Sequence, residues 1–216
     1  MTPAASPHAI TFSYAGDAIF AGSTAAATLT VADTIAPVIT LNGDSPTIVE
    51  AGSTFVDPGA TATDSFAGNL TSAIEVSGTV NTAQIGDYAL SYAVSDGYNR
   101  ASTVRIVRVV DRTGPTIANL SALPSTLAPT NTWSLVRIAY LSTDVSGTPA
   151  CSLTASSNNP DAGETDAVVV SPTLVAVLAE RVAASRPLRV YTIAVTCTDS
   201  SENSTAAQTA VMVRRK

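Results

Sequence analysis

Apolar and polar residues alternate along this chain with a period of two, most clearly over residues 86–95. Tyr88, Leu90, Tyr92 and Val94 fall on one side, and Ala89, Ser91, Ala93 and Ser95 on the other. That is the pattern of a strand with one buried face. The run opens on Gly86 and closes on Asp96-Gly97, a turn signal. A second copy puts Tyr191, Ile193, Val195 and Cys197 in phase before the polar stretch 198–203. Val136, Ile138 and Tyr140 share a face, as do Cys151 and Leu153 further on. Further strands are expected at 38–41, 60–63, 74–77, 79–82, 102–110, 174–179 and 205–213, with 64–69 a loop. Helical periodicity is absent, so the chain reads as all-β.

The strands come in modules. Asp33-Thr34-Ile35-Ala36-Pro37-Val38-Ile39 recurs as Asp111-Arg112-Thr113-Gly114-Pro115-Thr116-Ile117, a period of 78 residues. Proline fixes φ and lacks an N–H, so Pro37 and Pro115 each suit the start of an edge strand after a linker. At about 100 residues per domain, 216 residues accommodate two β-sandwiches. The expected divisions are 33–110 and 111–216, preceded by a partial module over 1–32. Tyr88 and Tyr191, each on a late strand, are the expected structural tyrosines of the two sandwiches. The first 32 residues supply only two strands, 9–14 and 26–31, joined by 15–23. A lone hairpin is marginal in water. It is therefore expected to dock on its neighbour, to be completed by another chain, or to be the remnant of a truncated module.

Residues 33–110 resemble the bacterial Ig-like domain that occurs in tandem on secreted and surface proteins. The resemblance rests on Pro37–Gly43, on Asp57-Pro58-Gly59-Ala60 running to Asp64, on Gly86-Asp87-Tyr88, and on Val94-Ser95-Asp96. Tyr14, Gly16, Asp17, Phe20, Gly22 and Ser23 resemble the tail of another such repeat, its last two strands. Residues 111–216 resemble a related secreted repeat, through Pro129, Asn131, Pro160, 178–181 and 189–199. Ala128 and Thr132 stand where that repeat often has Trp and His, and Trp133 is displaced. The resemblance implies tandem immunoglobulin-like sandwiches and an extracellular or cell-surface location.

Composition narrows the chemistry. Aromatics are 5% against 45% hydrophobic residues, so much of the core is Val, Ile, Leu and Ala. Net charge is −6, of which 33–110 carries eight acids and three arginines, while 111–216 balances eight against eight. Only Arg214-Arg215-Lys216 is locally basic, which is no footprint for nucleic acid. No apolar run of about 18 residues is present, so no membrane span is expected. Residues 1–6 show neither a basic n-region nor an apolar core of a secretory leader. His8 is the single histidine and Lys216 the single lysine. A histidine triad, a multi-histidine metal site, lysine catalysis and a Lys–Asn isopeptide crosslink are thereby excluded.

Two kinds of site remain. Cys151 and Cys197 both fall on inward faces, 46 residues apart, and are expected to form a disulfide between the two sheets. Such a loop is worth about 4 kcal/mol in the chain-entropy treatment, and it fits an oxidising compartment. The alternative is two buried thiols in a reducing one. Asp33, Asp57, Asp64, Asp96 and Asp111 lie in turns or junctions of the acidic module. Loop aspartates either cap their own turns or, with carbonyls, coordinate Ca²⁺. Asp33, Asp96 and Asp111 are the candidate calcium ligands, and no other cofactor is expected.

The expected role is non-enzymatic: a rigid spacer or interaction scaffold in a bacterial extracellular or surface protein, with a protein or glycan ligand unspecified. One alternative is a self-assembling filament subunit that pairs residues 9–31 with a neighbouring copy. Another is a carbohydrate-binding accessory module of an exported hydrolase, with Trp133 stacking on sugar.

Overall fold

A computed structural model describes residues 6–158, 165–180 and 187–215. Pro160 and Arg181, residues of the motifs quoted above, lie outside the described residues, as does Lys216. The chain divides into two compact units. The first comprises Met1–Val49, Thr54–Asn81 and Asp87–Arg108, and the second Glu50–Ser53, Thr82–Gly86 and Val109–Lys216.

The chain begins with an antiparallel hairpin, β1 (His8–Gly16) and β2 (Ala21–Leu29), in register from His8 opposite Leu29 to Gly16 opposite Ala21. Its turn is tighter than the 15–23 connection expected from sequence. Asp17 explains this: its Oδ1 accepts the Ile19 and Phe20 N–H groups, and its Oδ2 accepts the Tyr14 hydroxyl at 2.6 Å. Gly16 sits at φ +87°, and a Cβ there would meet the Gly22 nitrogen at 2.6 Å, so the turn needs glycine. The hairpin is a two-stranded sheet of its own, and nearly all its residues are exposed.

Next comes a sandwich of two sheets. One has the order β3-β5-β6, from β3 (Val38–Leu41), β5 (Ala60–Asp64) and β6 (Gly68–Asn69). The other has the order β4-β9-β8-β7, from β4 (Thr47–Glu50), β7 (Glu75–Ser77), β8 (Gly86–Ser95) and β9 (Arg100–Val110). Pro37 is buried immediately before the edge strand β3. The inward row of β8 is the expected one: Leu90, Tyr92 and Val94 are buried, and Tyr88 packs partly exposed on the same core. Residues 79–82 are irregular where a strand was expected, and Gly68–Asn69 pairs with β5 where a loop was. A short 3-10 turn, Thr71–Ala73, lies between β6 and β7.

The last sandwich is larger. One sheet runs β10-β12-β15-β14, from β10 (Thr116–Leu123), β12 (Trp133–Thr143), β14 (Ala167–Ser171) and β15 (Leu174–Leu178). The other runs β11-β17-β16-β13, from β11 (Thr126–Leu127), β13 (Ala150–Ser157), β16 (Val190–Thr198) and β17 (Ser204–Val213). Pro115 is buried just before the edge strand β10. Tyr191, Ile193, Val195 and Cys197 have no exposed surface and pack with Val136, Ile138, Val175, Val177 and Val211. Burying a Val or Ile side chain is worth about 1.5–3 kcal/mol, so this row contributes several kcal/mol to the unit's core.

Cys151 and Cys197 are bonded, with Cα atoms 4.0 Å apart. The bridge does not join the two sheets. The two cysteines sit directly opposite each other on β13 and β16, neighbouring strands of one sheet. The expectation of an inter-sheet link failed because inward-facing positions are also shared by adjacent strands. In-phase side chains across a ladder come as close as those across the core.

Each unit buries an arginine against its core tyrosine. In β9, Arg105 alternates inward with Val107 and Val109 and has no exposed surface. Its guanidinium donates to the carbonyls of Asn42, Asp44 and Gly59 at 2.7–2.9 Å, and its Nε to the Tyr92 hydroxyl at 3.1 Å. Tyr92 donates in turn to Asp57 at 2.6 Å. Arg189 precedes β16 in phase with Tyr191 and pairs with Asp166 at 2.9 Å and Glu180 at 2.7 Å. The Tyr191 hydroxyl donates to the Leu178 carbonyl.

Candidate functional site

The expected calcium ligands do not form one group. Asp33 and Asp96 converge with Asp64, whereas Asp111 lies with Asp144 and Asp199. In each trio one carboxylate oxygen per residue lies within 4.8 Å of the other two. Asp57, also a candidate from sequence, is spent on the Tyr92 hydroxyl and the Arg105 ion pair at 3.3 Å.

The same topology builds both trios. The first aspartate sits in the linker, four residues before the buried proline, at Asp33 and Asp111. The second ends the strand that pairs with the module's first strand. Val38 lies opposite Thr63, and Asp64 is the next residue. Thr116 lies opposite Thr143, and Asp144 is the next residue. The third opens a hairpin in the other sheet, at Asp96 after β8 and at Asp199 after β16. Each trio therefore draws on a linker and on both sheets of its own sandwich.

An asparagine closes each arrangement. Asn99 donates from Nδ2 to the Asp33 and Ile35 carbonyls at 3.2 and 3.1 Å, and to Asp96 Oδ2 at 3.2 Å. Asn203 donates to the Asp111 carbonyl at 3.2 Å and to Asp199 Oδ2 at 3.0 Å. The two hairpins differ in length by one residue, and each holds one residue at positive φ, Gly97 (φ +97°) directly after Asp96 and Glu202 (φ +69°) directly before Asn203.

Each of the six carboxylates also caps its own turn. Oδ1 accepts a nearby backbone N–H in every case: from Ile35, Phe66 and Tyr98 in the first trio, and from Thr113, Ser146 and Ser201 in the second. Oδ2 of Asp96 and of Asp199 accepts from Asn99 and Asn203. The Oδ2 atoms of Asp33, Asp64 and Asp111 are shut off from solvent and have no hydrogen-bond partner. Backbone N–H bonds from Asn99 and Tyr98 hold Asp96 below the usual carboxylate range against partial desolvation. At Asp199 burial is the largest influence and pushes upward. The Asn203 and Ser201 donors together outweigh it and hold the group low.

Asp144 and Asp199 were not among the candidates drawn from sequence. Asp199 was within reach, since it closes the Tyr191 strand as Asp96 closes the Tyr88 strand. Asp144 opens Asp144-Val145-Ser146-Gly147, a turn sequence with aspartate first and glycine fourth, so it too was within reach. Trp133 begins β12 opposite Leu178 and is 49% exposed.

Residues 39–110 match the model of the family described as bacterial surface protein, Ig-like domain. No curated protein matches the chain. Among solved structures, a lipoprotein from Bacteroides thetaiotaomicron is similar at 14% identity and TM-score 0.33, over 81% of this chain and 80% of that one. Mouse cadherin-23 domains EC22–24 match at 14% identity and TM-score 0.40, over 84% of this chain and 67% of that one. Protocadherin gammaB7 domains EC3–6 match at 13% identity and TM-score 0.38, over 96% of this chain. The chain spans 60% of that fragment, less than two thirds of its length.

Proposed function

We propose that this chain is a non-enzymatic, Ig-like segment of a bacterial extracellular or cell-surface protein, serving as a rigid spacer or interaction scaffold. The match of 39–110 to the bacterial surface Ig-like family carries the reading. The chemistry of the buried ionisable groups supports it. Arg105 and Arg189 hold loop carbonyls, tyrosine hydroxyls and carboxylates inside each sandwich. Such groups fix a shape. An antibody against the chain should label intact cells of the source bacterium or find it in the medium. Labelling that appears only after lysis would sink the proposal.

A second reading, strand pairing between copies, is favoured by the hairpin. Phe12, Ile19 and Phe20 are 73%, 84% and 66% exposed, and none joins a core. In that reading residues 9–31 add to a sheet edge of another copy and build a filament. Size-exclusion chromatography of the chain with and without residues 1–32 separates the two readings. A monomer in both cases leaves the spacer alone.

A further inference from the structure

We infer that each sandwich binds one calcium ion, held by Asp33, Asp64 and Asp96 in the first and by Asp111, Asp144 and Asp199 in the second.

Three observations carry this. First, the oxygens of each trio lie within 4.8 Å of one another. Turn capping explains why each aspartate is in its turn, but not why three turns aim their carboxylates at one point. That convergence occurs twice, although 32 residues separate Asp64 from Asp96 and 55 separate Asp144 from Asp199. Second, Asp64 and Asp111 are more than nine-tenths buried, at 9% and 8% exposure, each with an Oδ2 that meets neither solvent nor a donor. A buried carboxylate oxygen without a partner is costly, and the other two acids add like-charge repulsion. Third, no ion pair reaches either trio among the described residues. Their arginine pairs go to Glu75, Asp57, Asp87, Asp166 and Glu180. A cation from solution supplies the missing partner.

The donor set selects which cation. Every side-chain ligand is a carboxylate oxygen, and neither histidine nor thiolate takes part, which disfavours zinc and copper. Calcium accepts six to eight oxygens in loose geometry, so three carboxylates leave room for backbone carbonyls and water. Magnesium demands a regular octahedron and keeps its waters, a poorer match to acids set by three separate turns. Each ion would pin the entering linker to both sheets of its sandwich. That is the inter-sheet crosslink that the disulfide does not make.

The test is isothermal titration of the EDTA-stripped full chain with calcium chloride alone. Two ions per chain are expected. Asp64→Asn should weaken the first site and Asp144→Asn the second, each at least tenfold, and each should spare the other site. Asparagine keeps the Oδ1 acceptor of each turn, and far-UV circular dichroism checks the fold. Should Asp64→Asn not fold, Asp96→Asn reads the same site. Absence of binding at millimolar calcium, a stoichiometry of one, or undiminished binding by the double variant overturns the inference.

Discussion

The Nε of Arg105 lies 3.1 Å from the hydroxyl of Tyr92, and neither residue has any exposed surface. The pair ties β8 and β9 to the turns at Asn42, Asp44 and Gly59, whose carbonyls the guanidinium also holds. Arg105→Met removes every one of those donors and strands the acceptors. Breaking a buried charged network by removing one partner costs about 3–5 kcal/mol. Urea unfolding should show a loss of that order, confined to the first unit. Tyr92→Phe, which removes only the hydroxyl, should cost about 1–3 kcal/mol.

Both core tyrosines predict a loss of stability in alkali. Burial, reinforced at Tyr92 by its bond to Asp57, raises both hydroxyls above their ordinary value of 10.0. The folded state therefore holds the proton more tightly than the unfolded chain. That contribution is complete below pH 10.0 and is lost as pH rises through the folded-state values. Denaturant midpoints measured from pH 8 to 11 should fall above 10, and Tyr92→Phe with Tyr191→Phe should flatten the fall.

Reduction of the disulfide should affect one unit only. The Cys151–Cys197 bridge lies within a single sheet of the second sandwich. Closing a 46-residue loop is worth about 4 kcal/mol at most in the chain-entropy treatment. Calorimetry with dithiothreitol should lower one transition and leave the other in place. The far-UV spectrum should persist, because the β13–β16 ladder runs from Ala150 to Ser157 regardless of the bridge.

Asp87 should titrate at low pH because of Arg108. The two form a fork of 2.8 Å hydrogen bonds on the surface, which lowers the Asp87 carboxyl below its ordinary 3.8. A depressed acid stabilises the fold above its unfolded value, and the effect is lost as pH falls through the folded one. Carboxyl NMR should place Asp87 below a typical aspartate and return it toward 3.8 in Arg108→Gln. Molar salt should shrink the difference, since the pair is exposed.

Deleting residues 6–31 should leave the first unit's stability within about 0.5 kcal/mol, the usual range for surface changes. The hairpin contributes no residue to the core around Tyr92 and Val107. A larger loss in urea unfolding would mean that the hairpin supports the sandwich.

Much of this architecture was legible in the chain. The Tyr88 and Tyr191 rows, the linker repeat ending at Pro37 and Pro115, and the pairing of the two cysteines all follow from local alternation and spacing. The buried arginines were legible in principle. Arg105 is in phase with Val107 and Val109, and Arg189 with Tyr191 and Ile193. The polar turn ends that satisfy these side chains come from distant parts of the chain. The division of the aspartates into two trios had no local signal.

The sequence by itself determined that the chain is a succession of β-strands with one apolar face each, because period-two alternation is written into adjacent residues. Tertiary structure alone decided that the disulfide lies within a sheet and that six aspartates gather as two trios. Those outcomes depend on which strands become neighbours and on which turns share an end of the sandwich. Such pairings join residues tens of positions apart, and no short stretch of sequence records them.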